Sequence, residues 1–232
     1  RAGLGNPRFF EKKRKYIKIK DNFNFLVSFM SNITKAIIPV AGLGTRFLPL
    51  SKVLPKEILP LADKPMIDYS VKEARESGIN HIIFILSEAK KIILEYFKKN
   101  EKLESLLEER NQQDLLENLR GLNKEFEGLD FSLAFQSNPK GDGDAILKEK
   151  NQVEKEPFAV LFPDDVFDYK IPAINQLKNV FKTSQKPVVG LKRVSEEKLS
   201  SYGVVAVEKI ATRLYRIKQI IEKPKLGEAP FG

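Results

Sequence analysis

Apolar residues along the chain fall into two alternating patterns. Short unbroken apolar runs occupy Lys35–Ala41 (KAIIPVA), His81–Leu86 (HIIFIL) and Phe158–Phe162 (FAVLF). Runs of this length between turn-forming residues predict strands buried on both faces. Residues 130–136 (DFSLAFQ) alternate and predict another strand. Between these runs the spacing becomes helical. Met66–Ser77 sets Ile67, Val71 and Ala74 on one face and stops at Gly78. Glu88–Lys99 is amphipathic, and leucines at 103, 106, 107, 115, 116 and 119 predict helix over Glu101–Arg120. Ile174–Lys182 predicts a further helix. Residues 187–194 (PVVGLKRV), 202–209 (YGVVAVEK) and 213–223 (RLYRIKQIIEK) read as strands, the last two as a hairpin pair.

Strand, helix, strand, helix predicts an α/β protein with a largely parallel sheet and helices on both faces. Ligands of such sheets bind beyond the carboxyl ends of the strands. Three segments fall at those ends: GLGTR (42–46), QSNPKGDGDA (136–145) and PDD (163–165). No internal repeat or Pro/Gly/Ser-rich linker interrupts the chain, so one domain is expected from about Thr34 onward.

Charge changes this picture less than its total implies. The formal net charge is +9, a value that invites a nucleic-acid reading. Residues 1–29, however, hold eight Lys/Arg against two acids and so account for +6 of it. The first methionine is Met30. Residues 1–29 therefore read either as a basic arm or as upstream sequence outside the mature protein, and the second is the expectation adopted. No apolar run approaches a membrane span and no secretory signal is visible. A soluble cytoplasmic protein without nucleic-acid or membrane partners is expected. The absence of cysteine excludes disulfides, thiolate metal sites and cysteine nucleophiles. His81 is the single histidine and opens a strand, a place that fits a structural role and leaves no Ser-His-Asp chemistry.

Glycine loops after buried strands bring backbone N–H groups close to anionic ligands. Gly42 and Gly44 follow the first strand, and Arg46 can add charge-assisted bonds to phosphate. The loop is neither a Walker A sequence nor G-x-G-x-x-G, since Phe47 stands at the third glycine's place. Alone it is equally a tight turn. Lys56, in PKE (55–57), can reach the same phosphates or can lie solvated in a proline-shaped turn. Asp164 and Asp165 close a strand, where a carboxylate serves as a hard oxygen ligand for Mg²⁺ or simply shapes a Pro-Asp turn. Gln136 ends a strand; its amide donates and accepts at once, which suits a uracil edge, or it is simply an exposed strand end.

Taken together, KAIIPVAGLGTRFLP (35–49), PKEILPLADKPMIDYSVKEA (55–74), QSNPKGDGDAIL (136–147), PFAVLFPDD (157–165), SYGVV (201–205) and IIEKPK (220–225) resemble the bacterial UTP–glucose-1-phosphate uridylyltransferases, a family of sugar-nucleotide pyrophosphorylases. The resemblance covers about Thr34 to Lys225. It implies a three-layer α/β/α, Rossmann-like nucleotidyltransferase fold with a mostly parallel mixed sheet. The implied reaction is transfer of a uridylyl group from UTP to glucose 1-phosphate, giving UDP-glucose and pyrophosphate. Carried over residue by residue, it gives Asp164 as the Mg²⁺ ligand and Arg46, Lys56 and Lys223 as phosphate-handling catalytic residues. Ala41, Gly42, Gly44, Gln136 and Gly141 become nucleotide-binding residues, with Gln136 and Gly141 on the uracil. Gly203 and Glu222 become sugar-binding residues. The chain departs from the pattern at GDGDA (141–145), where family members often carry GLGHA, and so places Asp142 and Asp144 near a phosphate site. Family members usually continue well past EKPK. Residues 30–232 are therefore expected to be a nucleotidyltransferase domain incomplete at its C-terminus, and a homo-oligomer is expected of the full-length family. The alternatives are a dTTP-dependent glucose-1-phosphate thymidylyltransferase, a nucleotide-binding fragment without catalysis, and a nucleic-acid binder using the basic arm.

Overall fold

The computed structural model describes residues 32–136, 142–148, 153, 156–225 and 228. Residues 1–29 and Gly141 lie outside them. The chain groups into two compact units that divide between Val188 and Val189.

The first unit is built on a four-stranded parallel sheet. Its strands are β1 (Lys35–Pro39), β4 (His81–Leu86), β5 (Asp130–Phe135) and β6 (Phe158–Val160), in the order β5-β4-β1-β6. The two central strands are the apolar runs, and all but their first residues are buried. A short antiparallel pair, β2 (Pro60–Leu61) and β3 (Lys64–Pro65), precedes helix α1 (Met66–Glu76). Helices α2 (Glu101–Glu109), α3 (Gln113–Glu125), α4 (Asp142–Lys148) and α5 (Ala173–Ser184) follow in chain order.

Successive side chains of a strand face opposite ways, so each strand feeds two cores. Ala36, Ile38, Ile82, Phe84 and Leu86 pack with Ile67, Val71 and Ala74 of α1 and Ile174 of α5. Phe84 stacks on Phe97 and Phe131, with ring centroids 5.6 and 5.8 Å away. Ile37, Ile83, Ile85 and Ala134 form the smaller core on the other face with Val153, Ile146 and Phe158. The layered α/β architecture follows from this two-sided burial, and the four strands of this sheet are all parallel.

Three local expectations differ from the structure. The Glu101–Arg120 stretch is two helices, because Asn111 takes a left-handed conformation (φ 54°) between α2 and α3. Buried Glu104 then ties them, accepting from Arg120 Nε at 3.3 Å and Asn123 Nδ2 at 3.0 Å. Residues 88–97 wind as 3₁₀ turns (Glu88–Phe97) instead of an α-helix. Residues 187–194 form no strand. Val189, Leu191 and Val194 there stay exposed, so no sheet face rewards pairing.

The second unit is the predicted hairpin, β7 (Gly203–Ala211) antiparallel to β8 (Leu214–Glu222). A 3₁₀ helix, Glu196–Ser201, leads into it.

Candidate functional site

The chain runs from β1 to β4 to β5 in one direction across the sheet, then returns to place β6 on the other side of β1. The strand order therefore reverses between β1 and β6, and open α/β sheets bind ligands at such a reversal, beyond the strand carboxyl ends. Two of the sequence-predicted segments leave the sheet there. The glycine loop follows β1, and PDD follows β6, whose register continues through the bond from Leu161 N to Ile37 O (3.1 Å).

The two loop glycines do different work. Gly44 sits at φ 66°, a left-handed conformation that favours glycine, and caps the 3₁₀ turn Thr45–Phe47. A Cβ there would lie 3.3 Å from Ser51 Cβ and 3.4 Å from Lys56 Cβ. Gly44 thus lets the loop lie against the stem of Lys56. A Cβ at Gly42 would meet open space. Gly42 is the glycine whose backbone a ligand can approach. Ala41 is buried at the base of the loop, and Arg46 is exposed.

Lys56 opens the 3₁₀ turn Lys56–Ile58, and its Nζ donates to Asp164 Oδ2 at 2.8 Å across 108 residues of sequence. Burial alone would raise the Asp164 pKa. The Lys56 hydrogen bond and charge, with the Arg46 charge, outweigh it and hold this carboxyl below the usual carboxylate range. Asp165 moves the other way: burial and the negative charge of Asp164 raise it, against the pull of Lys56. The adjacent carboxyls are therefore unlike, shifted in opposite directions, and Asp164 is the one whose ionised form is favoured. An ionised, half-exposed carboxylate suits a hard cation such as Mg²⁺, which takes one or two carboxylates and fills its shell with phosphate and water. Among the described residues no cluster of three metal-ligating side chains forms a closed cage. The donor set thus fits an ion shared with a phosphate ligand.

Gln136 follows β5 directly, is buried and so is not an exposed strand end, and donates from Nε2 to Asp144 Oδ2 at 3.3 Å. One acidic residue of the unusual GDGDA stretch therefore engages the amide expected to read the base. Gly141 lies outside the described residues.

In the second unit, Gly203 and Glu222 are cross-strand partners at one end of the hairpin. A Cβ on Gly203 would fall 2.9 Å from Glu222 Oε2, the movable end of an exposed side chain. Lys223 follows at φ 46°, its N–H bonded to Tyr202 O (3.0 Å) and its Nζ 3.2 Å from Glu222 Oε1. These three expected sugar-site residues come together in the hairpin. Arg46, Lys56 and Asp164 come together in the first unit.

Sequence reasoning missed three residues beside the site. Glu57, read only as a companion of Lys56, is 1% exposed and takes both of its bonds from Lys90 Nζ, at 2.9 and 3.0 Å. The signal for Lys90 was present: it lies three and seven residues before Ile93 and Phe97, on the apolar face of its segment. Ser51 Oγ is also buried beside the loop without a hydrogen-bond partner.

Comparison with known proteins agrees with this geometry. A family model described as nucleotidyl transferase matches residues 35–230. The chain is 42% identical over 204 residues to the UTP–glucose-1-phosphate uridylyltransferase of Staphylococcus haemolyticus, covering 87% of this chain and 69% of that protein. It is 39% identical over 201 residues to the Bacillus subtilis enzyme of the same name, with 87% and 68% covered. Among solved structures, the UTP-bound UGPase from Acinetobacter baumannii superposes with a TM-score of 0.78 at 36% identity, over 86% of this chain and 71% of that one.

Proposed function

The chain belongs to the nucleotidyl transferase family, and from that premise we propose that it transfers a uridylyl group from UTP to glucose 1-phosphate, releasing pyrophosphate. The observation that carries this is the Lys56–Asp164 pair set against the glycine loop where the strand order reverses. It gathers a cation, an ionised carboxylate and exposed backbone at one point, as a magnesium-nucleotide ligand requires.

The sugar phosphate is already anionic, so the reaction needs no general base. One of its oxygens bonds to the α-phosphorus of UTP as the bond from that phosphorus to the bridging oxygen breaks, and the electron pair leaves on pyrophosphate. Catalysis then consists of alignment and charge neutralisation. The Gly42 backbone and Arg46 bind the triphosphate. Lys56 meets the charge that grows on the departing pyrophosphate. Gln136 hydrogen-bonds the uracil edge. Gly203 and Glu222 hold the glucose, and Lys223 holds its phosphate. Asp164 is the residue that would hold Mg²⁺, which supplies Lewis-acid neutralisation of the phosphates when bound.

The test is pyrophosphate release from UTP and glucose 1-phosphate with Mg²⁺, run beside dTTP, CTP and ATP. UTP-selective release is expected. Preference for dTTP would move the chain to thymidylyl transfer. Tight UTP binding without turnover would mark a nucleotide-binding module.

A further inference from the structure

We propose that Lys90 is a positioning residue for Lys56, acting through Glu57. The inference rests on the assignment of Lys56 to the UTP phosphates.

Lys56 and Glu57 share one 3₁₀ turn, Lys56–Ile58, closed by the bond from Leu59 N to Lys56 O (3.1 Å). Three contacts fix that turn. Pro55 is buried before it, Ile58 packs on the main core, and both Glu57 carboxylate oxygens are held by the single Lys90 ammonium. Lys90 comes from the 3₁₀ helix that begins two residues beyond β4, and its own N–H bonds Ser87 O at 2.9 Å. The ion pair therefore bolts the Lys56 turn to the carboxyl end of a central strand.

Hydrophobic attraction is non-directional and so tolerates small rotations of a turn. A buried carboxylate with both oxygens on one ammonium does not, because any displacement leaves a charge unpaired away from water. Buried ion pairs are poor sources of net stability, and register is their better-attested use. Here the register set is that of the adjacent residue. The stem of Lys56 lies where a Cβ on Gly44 would come within 3.4 Å of it, and its tip meets Asp164. Rotation of this turn would carry Nζ off the phosphate site.

The test is a mutant cycle on the full chain, read by calorimetry of UTP with Mg²⁺ and by kcat. Lys90→Met, Glu57→Met/Lys90→Met and Lys178→Met are measured with and without Lys56→Ala. The paired variant leaves no unpaired buried charge, so it carries the test if Lys90→Met fails to fold. Lys178→Met is the control for lost stability. Its Nζ donates to Ile33 O and Ser77 O and touches neither the turn nor the loop. With Lys56 present, loss of the ion pair is expected to lower UTP affinity or kcat by about tenfold to a hundredfold, the scale of a small misplacement of a catalytic group. With Lys56→Ala already in place, the further loss should be under about twofold, as non-additivity of coupled residues requires. Lys178→Met should leave UTP affinity unchanged.

Losses that multiply in the Lys56→Ala background would overturn the inference while leaving uridylyl transfer intact. So would wild-type affinity and kcat in the paired variant, or an equal loss in Lys178→Met. A folded wild-type chain that binds no UTP would overturn both.

Discussion

Exchanging one glycine of the nucleotide loop for alanine separates backbone strain from ligand clearance. Gly44→Ala forces a Cβ into φ 66°, where an L-residue loses about 1–2 kcal/mol. The new methyl also sits 3.3 Å from Ser51 Cβ and 3.4 Å from Lys56 Cβ, so both must yield by a few tenths of an ångström. The strain alone should lower the melting temperature by roughly 2–8 °C for a chain of this size. The displaced Lys56 stem should also weaken UTP binding. Gly42→Ala meets no atom within 4 Å and needs no left-handed conformation. Its folded state should be as stable as wild type or slightly more so, because alanine restricts the unfolded chain. Only its UTP affinity should fall, since the added methyl occupies the approach to the backbone. Thermal unfolding and UTP calorimetry on both variants check this. Equal melting temperatures for Gly44→Ala and Gly42→Ala would refute the assignment of the strained position.

Other expectations follow from the same contacts. Asp164→Asn should abolish turnover yet shift stability by only about 0–1 kcal/mol, the range of exposed ion pairs; an active variant would remove Asp164 from the metal role. The wild-type Asp164 contribution should be present above its ordinary value of 3.8 and vanish as pH falls through its depressed folded value. Asp68 behaves oppositely. Burial raises its pKa more than Lys64 and the Tyr96 hydroxyl lower it, so its contribution is complete below 3.8 and is lost as pH rises through the folded value. In Asp68→Asn, urea midpoints across that window should lose this decline, and an unchanged profile would show that Asp68 is not its source. Lys178→Met strips two buried carbonyls of their donor and should cost about 1–3 kcal/mol, measured by urea denaturation.

The apolar runs alone determined much of this protein. KAIIP and HIIFIL are strands because residues buried on both faces leave a continuous apolar signature; FAV carries the same signature although it is a half-buried edge strand, and DFSLAF follows from alternation. Placing GLGTR and PDD at strand ends was also legible, as was the β7–β8 hairpin that pairs Gly203 with Glu222. Tertiary structure alone decided the rest. The strand order sets the glycine loop and Asp164 on neighbouring strands, and no local pattern encodes a crossover. It decided that Gly44, not Gly42, bears the left-handed turn, and that the pKa values of Asp164 and Asp165 shift in opposite directions although the residues are adjacent in sequence. It buried Glu57 and Lys90 against each other across 33 residues, where each alone reads as a solvated charge. The division has one physical cause. Hydrophobic burial is imposed residue by residue along an element and leaves a period in the chain. Pairing between charges depends on distance in space, and distance exists only once the chain has folded.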